Sequence, residues 1–484
     1  MNQILSGIHK NKPLAAGASL LIIYICIRSG TVDITHDEAW SFQIVKKFWH
    51  VEALCTGNTH WLNSIAMKIA IVLHCERTWQ LRWFSTLSAI TFCIVCFLWI
   101  RSLEKLHVRV FACLLLLFNP YVLGYLGMAR GYSSGLMFES LSLYLLMINS
   151  EKHKRRLAFI ALLSASLSAI ANYSFIYFFA AFALVYFYKY YLKPADKFGF
   201  LKNKNFYLDL FLTLGTFAFI IRAFIFIIRC SADVVGAGTD NIEIAARSIA
   251  ESLLNRNINL GNAGSIILSC LLLLAIGIVC LYGLFKFKHH QNKAFFCSSL
   301  ILSLIFMIIS INYSVFKVVL PCSRSALFLF PIISVNLIYF LNQTSGFLLN
   351  KIAITALSLL LLFNFIRSAN FTRTLDFSRQ EETKKVFDYL DSIHANQVAV
   401  SWILFGVYKN YYQMTDHFKY RFKAETLNQE SRLADFDYVL LSPPDSILTY
   451  KTEPLRIDTL KRFPKNNILL LKCKGEKFIY KKGW

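Results

Sequence analysis

Charge is what this chain has least of. Only 16% of its 484 residues are Asp, Glu, Lys or Arg, against about 25% in a soluble domain. Acidic residues are the scarcer kind, 28 against 51 basic ones. With 56% hydrophobic residues and a mean hydropathy of +0.49, the default class is a polytopic membrane protein. The net charge of +23 does not point to nucleic acid, because the basic residues stand in short clusters between apolar runs, not on one face or tail. No internal repeat or low-complexity segment is evident, which argues against a transporter built from inverted halves. No small-x-small cleavage site follows the first apolar run, so it reads as an anchor and not as a removed signal peptide.

Apolar runs long enough to cross a bilayer, about 17 to 25 residues each, occur near 13–30, 79–100, 108–126, 133–149, 157–173, 175–191, 207–229, 265–285, 295–313, 325–341 and 351–368. With the N-terminus inside, the inner connections hold 17 Lys and Arg in 61 residues, and the outer ones hold 9 in 100. The positive-inside rule selects this orientation. An odd number of spans then places the tail outside. The expected fold is a membrane domain of about eleven transmembrane helices, residues 1–368, followed by a small extracytoplasmic α/β domain, 369–484.

In that tail, "SRQEETKKVFDYLDSI" opens with a capping-box spacing, Ser378 to Glu381, before apolar residues at helical intervals. "QVAVSWILF", "FDYVLLS", "NNILLLKCK" and "EKFIYKK" read as strands, the last two joined at Gly475. The twelve cysteines are less informative. Six, including the C-x-x-C of Cys93 and Cys96, lie in apolar runs and read as small buried hydrophobes. Cys55, Cys75, Cys230, Cys322 and Cys473 face the side where disulfides are permitted, and no pairing is deducible.

The scarce acids make "TVDITHDEAWSF" informative. Asp37 and Glu38 are adjacent carboxylates just past the first span, and two such groups repel and are costly to bury. The long outer loop they open is not hydrophilic: "SFQIVKKFW" and "HWLNSIAMKIAIVLH" show helical apolar spacing with Trp40, Trp49 and Trp61 interleaved, as in helices lying in the interface. "IEIAARSIAESLLNRN", with Ile242, Ala245, Ile249 and Leu253 on one stripe, is another. On the same face, "GMARGYSSG" puts Arg130 and Tyr132 in a short turn, and "FKVVLPCSRSALFLFP" puts Lys317 and Arg324 at a span mouth. Arginines where Lys and Arg should be scarce point to an anionic partner, since guanidinium matches phosphate in a bidentate way. Lys68 on the second interfacial helix is a further phosphate candidate. Glu139 inside the fourth span is either neutral or paired within the bundle.

These residues carry a resemblance. The acidic "DE" of the first outer loop, the N-T-H element ending at His60, "ARGY" after the third span and Arg324 before "LFLFP" resemble the GT-C superfamily of membrane glycosyltransferases. Protein O-mannosyltransferases, aminoarabinose transferases of lipid A and lipopolysaccharide-core transferases are similar in appearance, over roughly residues 13–345. Relatives usually carry Pro after the His, where this chain has Trp61. The resemblance implies a polyprenyl-phosphate sugar as donor, an envelope glycan, lipid or protein as acceptor, membrane lipids but no nucleic acid as partners, and a bacterial cytoplasmic membrane as location. It makes Asp37 the catalytic base. Glu38 would orient the loop, bind the acceptor or, with Asp37, hold a divalent cation. Arg130, Tyr132, Arg324, His60 and Lys68 would bind substrate.

The chemistry asks for the same set. A lipid phosphate leaves without needing a proton, so no general acid is required. A carboxylate must take the proton of the acceptor hydroxyl, and positive groups must hold the charge growing on the phosphate. A single displacement inverts the anomeric centre. A lipid-linked polysaccharide polymerase and a flippase or transporter are the alternatives. The first would concentrate its groups in large central outer loops. The second would carry charges deep in several spans, where Glu139 stands nearly alone.

Overall fold

The computed structural model describes residues 12–47, 60–152, 154–192, 203–230, 238–253, 261–286, 293–374, 377, 380–415, 422–426, 436–442, 457–464 and 468–473. The chain divides into two compact units. One holds residues 1–26, 55–63 and 83–369, the other residues 27–54, 64–82 and 370–484.

All eleven apolar runs are helical. They are α1 (Lys12–Thr31), then, past helices α2 (His36–Lys47) and α3 (Trp61–Val72), α4 (Trp83–Ile100), the broken pair α5 (Leu106–Leu116) and α6 (Pro120–Tyr125), α7 (Tyr132–Lys152), α8 (Arg155–Ala171), α9 (Ile176–Phe187), α10 (Lys204–Cys230), and, after α11 (Ile242–Leu253), α12 (Gly261–Lys286), α13 (Lys293–Phe316), α14 (Leu329–Thr344) and α15 (Leu348–Ser368). Among the described residues, eight segments are long and apolar enough to cross a membrane. The three others are α8 and α14, with 17 and 16 residues, and α7, whose 21 residues include five serines and Glu139. The protein is a multi-pass membrane protein.

The first unit is built around α7, which packs between α4 and α8. Small residues make this possible: Ala161, Ala165 and Ala169 form a fully buried i, i+4, i+8 stripe on α8, the pattern that lets helix backbones approach closely in a membrane. The outward faces of α10, α12 and α15 expose Phe211, Leu274 and Leu349, as lipid-facing helices must. The predicted interfacial helix at 242–253 is α11. Ala245 and Ala250 are its buried positions, and Ile242, expected on the apolar stripe, is exposed.

In the first unit β1 (Gly238–Thr239) pairs antiparallel with β2 (Leu320–Pro321). The second unit contains a five-stranded sheet of order β4-β3-β5-β7-β6, built from β3 (Gln397–Val400), β4 (Lys423–Thr426), β5 (Tyr438–Leu441), β6 (Ile457–Phe463) and β7 (Ile468–Cys473). The strand β3 runs parallel to β4 and β5, and β7 is antiparallel to β5 and β6. Helices α16 (Thr383–Ser392) and α17 (Trp402–Asn410) bury Val386, Phe387, Leu390, Leu404 and Val407. The run "QVAVSWILF", expected as one strand, is strand only to Val400. Trp402 opens α17 after Ser401, because the apolar pattern from there has helical spacing through Leu404, Val407 and Tyr408. The helix α16 starts at Thr383 after Glu382 in a left-handed conformation, φ 69°. The capping-box Ser378, the turn at Gly475 and the strand "EKFIYKK" lie outside the described residues.

Candidate active site

The two carboxylates of the opening loop have different surroundings. Thr35 caps α2 and Glu38 stands three residues on. The Thr35 hydroxyl accepts from the Glu38 N–H at 3.3 Å, and the Glu38 carboxylate accepts from the Thr35 N–H at 2.9 Å and its hydroxyl at 3.0 Å. This is a capping box, T-x-x-E, that satisfies both ends of the first turn. Glu38 is fully buried and takes a second pair of bonds from Arg82, Nε at 2.8 Å and Nη2 at 2.7 Å. The remaining donors of Arg82 go to the carbonyls of Ser29, Val32 and Asp33 at 3.0, 2.7 and 3.0 Å. All five guanidinium donors are used, so the loop from the end of α1 into α2 is folded around one buried ion pair.

Asp37 stands beside this pair in the first turn of α2, with its side chain 13% exposed and 3.8 Å from Nδ1 of His36. A helix N-terminus favours negative charge there, and Lys46 and Lys47 complement the dipole at the other end. His36 is fixed by its backbone N–H, which donates to Gln380 Oε1 at 2.6 Å, and by ring contact with Trp402. A Cβ at Gly406 would come within 2.5 Å of the His36 ring, which is why glycine sits there on α17. Lys68 donates to the carbonyl of Val45 at 3.3 Å, closing the C-terminal turn of α2. Asp33 is largely buried and its carboxyl is pushed above the usual carboxylate range by desolvation. The Lys384 N–H and the charges of Arg82, Lys384 and Lys385 offset this only in part.

The first unit gathers the aromatic and basic candidates. Arg130 is 2% exposed, so it does not reach outward as a snorkelling arginine would. Its guanidinium lies 6.0 Å from the Tyr132 ring centroid. The Tyr132 ring contacts those of His60 at 5.4 Å and Tyr125 at 5.0 Å, and Tyr125 contacts Tyr121 at 5.5 Å. The Tyr121 hydroxyl donates to the carbonyl of Ser323 at 2.6 Å, next to Arg324. His60, Arg130, Tyr132 and the turn of Arg324 therefore belong to one connected aromatic group. The turn is held by its own sequence: Gly127 has φ 82°, the Ser133 hydroxyl accepts from its N–H at 3.2 Å, and Ser134 donates to the Gly131 carbonyl at 3.2 Å. A Cβ at Gly131 would run into the Ala171 carbonyl and the His60 side chain, so "ARGY" needs its glycine for close approach.

Three positioning residues carried no signal that charge or periodicity could reveal. Arg82 is one. Asn63 and Ser85 are the others: Asn63 donates to the Ala129 carbonyl at 2.6 Å and accepts from Ser85 at 2.8 Å, and Ser85 also lies 3.3 Å from the Arg130 carbonyl. Glu139 is fully buried, and its carboxyl oxygens have no hydrogen-bond partner among the described residues. The expectation of a divalent cation on Asp37 and Glu38 does not fit this geometry. The Glu38 oxygens already accept four hydrogen bonds, and no group of three or more His, Cys, Asp or Glu gathers to hold a metal among the described residues.

No family sequence model matches the chain, and no curated protein matches it by sequence. Among solved structures, ArnT from Cupriavidus metallidurans in the apo state is similar with a TM-score of 0.52 at 10% identity, over 96% of this chain and 98% of that one. At that identity the likeness is one of fold: the chain shares the fold of that protein over nearly its whole length. The oligosaccharyltransferase of Archaeoglobus fulgidus (TM-score 0.42, 11% identity, 82% of this chain and 61% of that one) and the arabinosyltransferase EmbB of Mycobacterium smegmatis (0.40, 10%, 92% and 46%) are also similar. Below a TM-score of 0.5 their likeness carries no weight.

Proposed function

We propose that the chain is an inverting glycosyltransferase that moves a sugar from a polyprenyl-phosphate donor to an envelope acceptor at the outer face of a bacterial cytoplasmic membrane. The observation that carries this reading is the division of labour between the adjacent carboxylates. Glu38, spent on Thr35 and Arg82, holds the first turn of α2, and Asp37 is presented from that turn in a setting that favours negative charge. Asp37 takes the proton of the acceptor hydroxyl as its oxygen attacks the anomeric carbon. The bond from that carbon to the phosphate oxygen breaks, and its electron pair leaves with the lipid phosphate. Arg130 and Arg324 stabilise the departing charge, with Tyr132 and His60 packing the donor side.

Charge alone is not sufficient for that task. Arg130→Lys and Arg324→Lys keep the charge and lose the planar fork, so each should weaken donor affinity by about tenfold or more, a difference of about 1.4 kcal/mol. Titration of the purified protein with a polyprenyl-phosphate sugar reads this directly. Wild-type affinity in both lysine variants and in both alanine variants removes the arginines from the site.

Orientation follows from the charge count alone and has its own test. Single cysteines at Lys47→Cys, exposed at the end of α2, and Ser446→Cys on a cysteine-free background should both react with a membrane-impermeant thiol reagent in intact spheroplasts. Reaction of the first without the second, when both react in lysed membranes, places the tail inside.

A further inference from the structure

The second unit contains a cavity of about 1210 Å³ that includes neither Asp37 nor Glu38. Its walls come from the end of α1, the C-terminal end of α2, residues 74–80, the first turns of α16 and the segment after α17. A site for a small molecule is usually about 300–1,000 Å³ and mostly apolar. This one is larger, and charged groups make up much of its wall.

Those charges nearly balance, four cationic side chains against five carboxylates, and six of the nine stand in ion pairs. Lys46 bridges both oxygens of Glu76 at 2.7 Å and donates to the Met414 carbonyl at 2.9 Å. Lys384 lies 3.5 Å from Asp388, and Lys385 lies 3.6 Å from Glu382. Asp33 accepts the Lys384 N–H at 3.2 Å. A polyanion would meet no net positive field, and an acyl chain would desolvate ion pairs without compensating them. A polyhydroxyl ligand suits such a wall, because each hydroxyl both donates and accepts. Aromatic side chains complete the wall. Trp79 stands exposed at the cavity, and Tyr411 is anchored by its hydroxyl, which donates to the Glu76 carbonyl at 2.8 Å. The exposed ring of Trp79 offers an apolar face to the C–H face of a sugar, while Tyr411, 3% exposed and packed on Phe42 and Tyr412, stiffens the wall.

We propose that this cavity holds the saccharide portion of the acceptor, an uncharged or weakly charged stretch of several sugars. The inference rests on the glycosyltransferase reading for the word acceptor, but not for the binding itself. It also implies that the acceptor is a glycan or glycolipid, not a bare polypeptide, since the volume exceeds what one sugar fills.

The test uses full-length protein in detergent micelles. The probe is the oligosaccharide fraction released by mild acid from the envelope of a strain lacking this chain, where the acceptor accumulates unmodified. A variant carrying Arg77→Ala, Trp79→Ala and Lys385→Ala changes three exposed wall residues outside the candidate active site. Wild type should retain a saccharide from this mixture, and the triple variant should bind it at least about tenfold more weakly, with donor affinity unchanged. Equal retention by both proteins, retention of nothing by wild type, or retention of released lipid or peptide in place of saccharide overturns the inference. If wild type binds the saccharide through the cavity and no polyprenyl-phosphate sugar is consumed, the glycosyltransferase reading fails and the binding site stands.

Discussion

Asp37→Asn should lower turnover at least about a hundredfold, with donor affinity unchanged. The amide keeps the shape of the side chain and its place in the first turn of α2, but it cannot accept the proton of the acceptor hydroxyl, and a positioned base contributes roughly 10²–10⁴-fold. Steady-state transfer measured beside donor titration separates the two effects. A fall in kcat with an unmoved donor Kd marks a group that acts in the transition state. A small loss, or one confined to donor affinity, would move the base elsewhere. His36, with Nδ1 3.8 Å from the Asp37 carboxylate, gives a second handle: His36→Ala should lower activity less than Asp37→Asn does, since the imidazole flanks the carboxylate and does not replace it.

Arg82→Met should destabilise the protein severely. Glu38 and Arg82 are both essentially inaccessible to solvent, at 0% and 1% exposure. Removing one partner leaves a buried charge uncompensated, which typically costs about 3–5 kcal/mol. Glu38→Gln should be milder, because the amide retains part of the capping box. The double variant Glu38→Leu, Arg82→Met should recover much of the stability lost by Arg82→Met, since apolar replacement of a whole buried pair is often neutral. Thermal unfolding in detergent, followed by intrinsic fluorescence, ranks the three. Equal losses for Arg82→Met and the double variant would show that the backbone bonds of Arg82 to Ser29, Val32 and Asp33, not the ion pair, hold this loop.

These two expectations differ in how far the sequence reveals them. Asp37 and Glu38 stand out in a chain poor in acids, and helices α2 and α3 follow from the apolar spacing around Trp40 and Trp61. The T-x-x-E spacing of Thr35 and Glu38 in "ITHDEAW" is a capping signal that went unread, and the structure supplies the role. Its pairing with Arg82 is not visible, because periodicity says nothing about which cation, 44 residues away, a buried carboxylate will meet. The same holds for Asn63 and Ser85, whose side chains serve the backbone of the Arg130 turn. Hydropathy marked eleven runs, all of them helical, of which eight among the described residues are long and apolar enough to cross a membrane; in α7 serines and Glu139 dilute the signal. It failed at Ser401, where one apolar run changes from strand to helix and only the spacing of Leu404, Val407 and Tyr408 marks the change. Strands β4 and β6 were missed for the opposite reason: "KAET" and "IDTLKRF" are edge strands with polar residues, and their pairing is set by neighbours, not by their own pattern.

The most direct measurement is the lipid product released when purified protein turns over with a polyprenyl-phosphate sugar and the envelope fraction of a strain lacking the chain. Mass spectrometry should find polyprenyl monophosphate formed in step with glycosylated acceptor by wild type, and neither product above background with Asp37→Asn. Release of a lipid diphosphate, or movement of intact donor across a vesicle membrane without cleavage, would contradict the assignment and support a polymerase or a flippase in its place.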